Sequence, residues 1–207
     1  MMIGLGLLLL TSGLMAQKTA ENHFSLLFGL IQPLLLEGWN VEVDYRTPKL
    51  VFNYSHGWSL DLRDSRVVGD AKDQHLFFHI PYSTGFGAGY RLTKVLDLRF
   101  EAKWHKFQLY YEDEAFAPDE LIAEYRTTTL GFGLYYLYRP FRNKENALKR
   151  ISLLSSLRYW HRVSSSLEKD QLIYRNRITG RQEVHEAANI GIANTPWIVN
   201  LSIGYTF

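Results

Sequence analysis

The chain contains no cysteine, which excludes a disulfide framework, thiolate metal sites and a lipid-modified amino-terminal cysteine. It carries little excess charge. Its 23 Lys and Arg against 21 Asp and Glu leave a net +2, and nothing in that balance points to a nucleic-acid partner. Long apolar runs are missing too: past the amino-terminus nothing approaches the roughly 18 apolar residues of a spanning helix. The longest stretch, 26–36, is broken by Gln32 and Pro33. Metal-ligand spacing is equally scarce, since His75 and His79 stand at a helical interval in a stretch that reads as strand or loop. Nor is a cofactor motif present. Gly85-Phe86-Gly87-Ala88-Gly89 lacks the strand-to-helix context and the Lys-Ser/Thr of a phosphate loop, and its alternate glycines better suit a crowded or curved sheet.

Aromatic residues, by contrast, make up 14% of the chain, with 13 Tyr and 5 Trp. They fall into period-two alternation, the mark of strands with two unlike faces. About eight segments alternate in this way: 24–36, 39–46, 50–62, 76–92, 96–111, 122–139, 150–167 and 190–207. In the fifth, Leu96, Leu98, Phe100, Ala102 and Trp104 oppose Asp97, Arg99, Glu101, Lys103 and His105. A globular core strand would not keep five charged or titratable residues on its second face without water or partners. The second segment sets Trp39, Val41, Val43 and Tyr45 against Asn40, Glu42, Asp44 and Arg46. From His105 to Tyr111 the alternation weakens, which suits a protruding section or a bulge.

Only helices and closed barrels satisfy their backbone groups in lipid, and helices are excluded here, so a membrane protein with this sequence is a barrel. The expected fold is all-β, an antiparallel up-and-down transmembrane barrel of about eight strands. Connection lengths fit that expectation: the long polar stretches 63–75, 112–121 and 168–189 fall on one side, and the short turns with 140–149 on the other. Met1 to Ala16 has no charge and carries an apolar run from Ile3 to Leu10, the layout of a signal peptide without the usual leading Lys or Arg. The chain therefore divides into a leader, 1–16, and one barrel domain, 17–207.

The last residues alternate to the end: Leu201, Ile203, Tyr205 and Phe207 on one face, Ser202, Gly204 and Thr206 on the other. This segment resembles the carboxy-terminal insertion signal of bacterial outer-membrane β-barrels. With the alternating strand from Leu96 to Trp104, it makes the whole mature chain resemble small outer-membrane barrels of Gram-negative bacteria, particularly the uncharacterised ones of the Bacteroidetes. The resemblance implies an outer-membrane location, contact with lipid bilayer and lipopolysaccharide, and handling by the barrel-assembly machinery. It carries over no catalytic motif.

Candidate chemistry lies in the lumen and near two histidines. Glu42, Asp44, Arg91, Asp97, Arg99, Glu101, Lys103, Arg139 and Arg158 are expected to face inward, with both signs present. An eight-stranded interior is just wide enough for side chains to fill. A salt-bridged plug is the economical arrangement, and a narrow passage for small solutes is the alternative. His56 near Ser59, and His161 near Ser164 and Ser165, raise the possibility of a lipid A or phospholipid hydrolase. Strand parity separates His56 from Ser59 and His161 from Ser164, and leaves His161 with Ser165. The stretch 168–189 reads as a solvated loop whose Arg175, Arg177 and Arg181 could meet phosphates. A soluble lipocalin-like barrel is the rival fold, and it would turn Arg99 and Glu101 outward.

Overall fold

The computed structural model describes residues 22–62, 69–112 and 119–207. The expected leader at 1–16 and parts of the first two long connections lie outside that range. Eight strands close into a barrel: β1 (His23–Gly29), β2 (Trp39–Arg46), β3 (Leu50–Leu62), β4 (Leu76–Arg91), β5 (Leu96–Tyr111), β6 (Ala123–Tyr138), β7 (Ile151–Ser165) and β10 (Trp197–Thr206). Every neighbour pair is antiparallel, and β10 closes the wall on β1, with Ser25 opposite Thr206 and Gly29 opposite Ser202. A separate hairpin, β8 (Gln171–Arg175) with β9 (Gln182–Glu186), stands in the last long connection.

Alternation decides which side chains go in. On β5, Asp97, Arg99, Glu101, Lys103, His105, Phe107 and Leu109 are buried, while Leu98, Phe100 and Trp104 are exposed. On β10, Asn200, Ser202 and Thr206 are buried; Val199, Leu201 and Ile203 are exposed, as is Phe207 just past its end. Arg99 and Glu101 are each 1% exposed, so the outward placement required by a lipocalin-like barrel does not occur.

The exterior ends in aromatic rings at two levels. Trp39, Trp58, Trp104 and Trp197 are exposed on the upper part of the wall, and Phe24, Tyr90, Tyr136, Tyr138 and Phe207 near the lower end. From Trp197 to Tyr205 the strand covers roughly 27 Å at about 3.4 Å per residue. Tilted by 35–45°, that is about 20 Å of height, near the apolar band of an outer-membrane barrel.

Three expectations need correction. The first segment is not a strand to residue 36: β1 stops at Gly29, and Ile31–Leu35 forms a short helix, α1. Pro33 needs no backbone donor in a first helical turn, so a residue that would break a strand is tolerated there. Leu30 N–H still donates to Leu201 O at 2.8 Å, and α1 packs between β2 and β10, filling the wall where β1 has ended. Residues 168–189 are not simply a solvated loop, because they hold the β8–β9 hairpin and bury Asn176, His185, Ala187 and Ala188. The last segment is a strand only from Trp197, after a 3-10 turn at Ile192–Asn194.

Burial alternates along β5 as far as Leu109 and is lost at its end, where Tyr110 and Tyr111 are both buried, and the bulge expected near this stretch lies on the neighbouring strand. The register slips on β4 between His79 and Tyr82, around Pro81, a residue that cannot donate to the ladder.

Strand lengths are uneven. Strands β4 to β7 run 15 or 16 residues, β1 and β2 only 7 and 8. The wall therefore stands tall on one side and is low at β10, β1 and β2. The tall side encloses an apolar upper core of Leu60, Leu62, Leu76, Phe78, Ile80, Phe107, Leu109 and Tyr125, capped by Ala187 and Ala188.

Lower down, the lumen is crowded enough to need glycine. A Cβ on Gly131 would lie 2.1 Å from Tyr159 O and 2.6 Å from Trp160 Cδ1. Replacing Gly131 by Val is therefore expected to destabilise the barrel by about 1–3 kcal/mol through overpacking. The check is the urea midpoint of the protein refolded in detergent; an unchanged midpoint would show that the wall yields without cost.

Candidate functional site

The distinctive chemistry of the molecule is a belt of buried ions below the apolar upper core. Strand β5 supplies Asp97, Arg99, Glu101 and Lys103 at alternate positions. Strand β2 supplies Glu42, Asp44 and Arg46, and β7 supplies Arg158. Four cations thus meet four carboxylates.

Arg99 is the hub. Its Nη1 donates to Glu42 Oε1 at 2.8 Å and Asp44 Oδ1 at 3.0 Å; its Nη2 donates to Asp44 Oδ2 at 2.8 Å and Asp97 Oδ2 at 3.2 Å. Arg46 crosses in the same way, with Nη2 2.7 Å from Asp97 Oδ2 and 3.3 Å from Asp44 Oδ2. Arg158 Nη2 reaches Glu42 Oε2 at 3.3 Å. Tyr135 lies under two of these guanidinium groups, 3.9 Å from Arg99 and 4.8 Å from Arg158.

One layer up, Glu101 accepts from Trp160 Nε1 at 2.9 Å and Asn53 Nδ2 at 3.2 Å, with Lys103 Nζ at 3.8 Å. Lys103 also donates to Ser55 Oγ and lies over the Trp160 ring. His105 spans Ser83 Oγ at 2.8 Å and Thr129 Oγ1 at 3.0 Å.

The structure thus brings together seven of the nine lumen charges named from sequence. The other two sit at the lower mouth. Arg91 is 4.0 Å from Asp97 and donates to Thr47 O at 2.6 Å, and Arg139 is half-buried just after β6. Arg46 was legible as a member, since it shares the parity of Glu42 and Asp44. Asn53, Ser55, Tyr135 and Trp160 also join, and only strand pairing reveals which charges they serve.

The histidine candidates do not form a hydrolytic site. His56 stacks on Trp58 at 6.0 Å on the outer face. A bulge between Thr128 and Thr129 places Arg162 opposite Thr129 and Ser165 opposite Thr127. Parity reverses across it, so His161 shares a face with Ser164 and not with Ser165, the opposite of the sequence expectation. Among the described residues no hydrogen bond joins His161 to either serine, and no cluster of three or more metal-ligating side chains occurs. His79 binds Asp61 at 2.6 Å.

Above the belt the β8–β9 hairpin is docked by polar contacts. Tyr125 Oη accepts from Ala188 N at 2.9 Å, which directs its own proton to His185 Nε2 at 3.2 Å. Burial, and then the nearby Arg162, push His185 down to about 4. Thr179, donating at 2.6 Å, holds the half-buried Glu183 carboxyl below its ordinary range.

No protein-family model matches the chain, and no curated protein matches it in sequence. Among solved structures it is similar to a major outer membrane protein from Thermus thermophilus. The identity is 13% and the TM-score 0.48, covering 90% of this chain and 100% of that one. It is also similar to the N-terminal β-barrel domain of Pseudomonas aeruginosa OprF, at 14% identity and TM-score 0.40, covering 90% and 96%. At these values neither neighbour assigns a ligand or an activity to this chain.

Two outcomes follow from the site. Arg99→Met takes the shared cation away from Glu42, Asp44 and Asp97, leaving only Arg46 and Arg158 to pair with them, and removing one partner from a buried ion network typically costs about 3–5 kcal/mol. The expected result is a large fall in the urea midpoint; a shift no greater than that of a surface Arg→Met control would mean the belt is not stabilising. Acid acts on the hairpin. A free imidazole titrates near 6.5 and the docked one near 4, so docking is fully favourable above about pH 6.5 and weakens as pH falls towards 4. The protection factors of the β8–β9 amides, which remove the intrinsic pH dependence of exchange, should fall across that window as pH drops in the wild type and stay flat in His185→Phe.

Proposed function

We propose that the chain is an integral outer-membrane protein, exported through a cleaved leader. In this reading it is a non-enzymatic barrel with an ion-paired lumen and external loops in structural or binding roles. The observation that carries it is the inversion of the usual protein plan. Charges are sealed inside a closed wall, while Phe86, Phe100, Phe132, Val199 and their neighbours stand exposed outside, edged by aromatics. A contiguous apolar exterior of that extent is untenable in water and favourable in lipid.

The belt argues against the channel alternative. Glu42, Asp44, Arg46 and Asp97 have no accessible surface, and their pairing leaves the lower lumen filled by side chains. Against the hydrolase stands the lack, among the described residues, of a hydrogen bond from His161 either to Ser164 on its own face or to Ser165 on the other. In this reading the partners are lipopolysaccharide phosphates for the exposed Arg175 and Arg181, and the assembly machinery for the terminal apolar edge of Leu201, Ile203, Tyr205 and Phe207.

Membrane fractionation with heat-modifiability on gels tests this reading. Wild-type protein should sediment with outer membranes and migrate faster unheated than boiled. Deleting Phe207 should reduce the inserted fraction, and planar bilayers should show no conductance steps. A soluble wild type without a heat shift would overturn the membrane reading, and discrete steps would overturn the plugged lumen.

A further inference from the structure

The low side of the barrel has a consequence for lipid access. Because β1 ends at Gly29, the upper wall between β2 and β10 is closed by α1 rather than by hydrogen-bonded strand. Behind α1 lies a cavity of about 330 Å³, within the range of small-molecule sites. It passes through the wall: Ile198 and Val199, on opposite faces of β10, both line it. At its outer end are Leu35, Ile192 and Val199, all exposed on the face that meets the acyl chains. At its inner end are Lys103, Arg158 and Asn200.

The polarity of the inner end is one-sided. Lys103 and Arg158 reach the cavity, whereas Glu101 and Glu42, which pair with them, do not line it. Its floor therefore offers the cavity cationic donors, and its mouth offers hydrocarbon. Asn200 Nδ2 and Ser55 Oγ add neutral polar atoms beside them. Strand-paired wall surrounds the lumen elsewhere at this level, so the helix-filled notch is the side entry.

We infer that this notch is a lateral binding site for a single-chain lipid with an anionic head, a long-chain carboxylate. Its chain enters past α1 from the outer leaflet, and its head is held by Lys103 and Arg158. Charge-assisted hydrogen bonds to those cations fix the head, and burial of the chain against Ile31, Leu35, Leu60 and Ile198 supplies the apolar contact. The inference rests on the membrane reading above, because Val199 faces hydrocarbon only if the exterior does.

The test uses the full chain in maltoside micelles with 11-dansyl-undecanoate as probe, and heat-modifiability is recorded for every sample. Wild-type protein should bind the probe saturably at one site, and dodecanoate should displace it. Two cavity-filling changes away from the ion belt, Leu35→Trp and Ile198→Trp, each exclude about two methylene groups of the chain. They should weaken binding roughly tenfold while keeping the heat shift. Lys103→Met should weaken the carboxylate and leave dodecanol, the uncharged competitor, unaffected. Unsaturable partitioning that is the same in wild type and both Trp variants, all heat-modifiable, would overturn the site. Equal displacement by dodecanol and dodecanoate would overturn the anionic head. A wild type with no heat shift would remove the membrane reading, and this inference with it.

Discussion

Arg99 is the contact on which the interior depends. Its guanidinium binds Glu42 and Asp44 on β2 and Asp97 on its own strand, so it joins two strands that are not neighbours in the wall. The arrangement is only available once the sheet has curled far enough to bring β2 opposite β5. Closure and ion pairing are therefore one event: an open sheet would leave the charges on an unpaired face, and a closed one without them would enclose a void. The glycines opposite the long side chains follow from the same constraint. Gly87, Gly89 and Gly133 leave room for Glu101, Arg99 and Arg158.

The upper half is built on a different principle. There the inward positions turn from charged to apolar along β5, through His105 to Phe107 and Leu109, and the core is sealed by Ala187 and Ala188 from the last long connection. The molecule thus has a polar lower lumen held by pairing and an apolar upper lumen held by burial. His105 sits at the boundary, with Thr129 on one side and Ser83 on the other.

Much of this was legible from alternation, since the inward face of β5 and the outward face of β10 follow from period two alone. What alternation could not supply are the places where it is reset. Pro33 lies in a run apolar enough to extend a strand, yet the chain turns helical there because a first helical turn tolerates proline. The bulge near Val163 moves Ser165 to the other face, which no residue type in that stretch announces. Trp160 shares the inward parity of Arg158, but its acceptor, Glu101, is 59 residues away and is set by strand pairing that sequence does not announce. The hairpin at 171–186 reads as a charged loop because its support comes from Tyr125 and Arg162, distant in the chain.

The join between first and last strands is short, running only from Ser25 opposite Thr206 to Gly29 opposite Ser202. Between β4 and β5 the ladder extends from Leu76 opposite Tyr111 to Arg91 opposite Asp97. The wall is therefore a nearly complete curved sheet fastened by one brief clasp. With the similarly brief β1–β2 ladder beside it, running from His23 opposite Arg46 to Phe28 opposite Val41, that clasp has the fewest backbone hydrogen bonds to hold the cylinder shut.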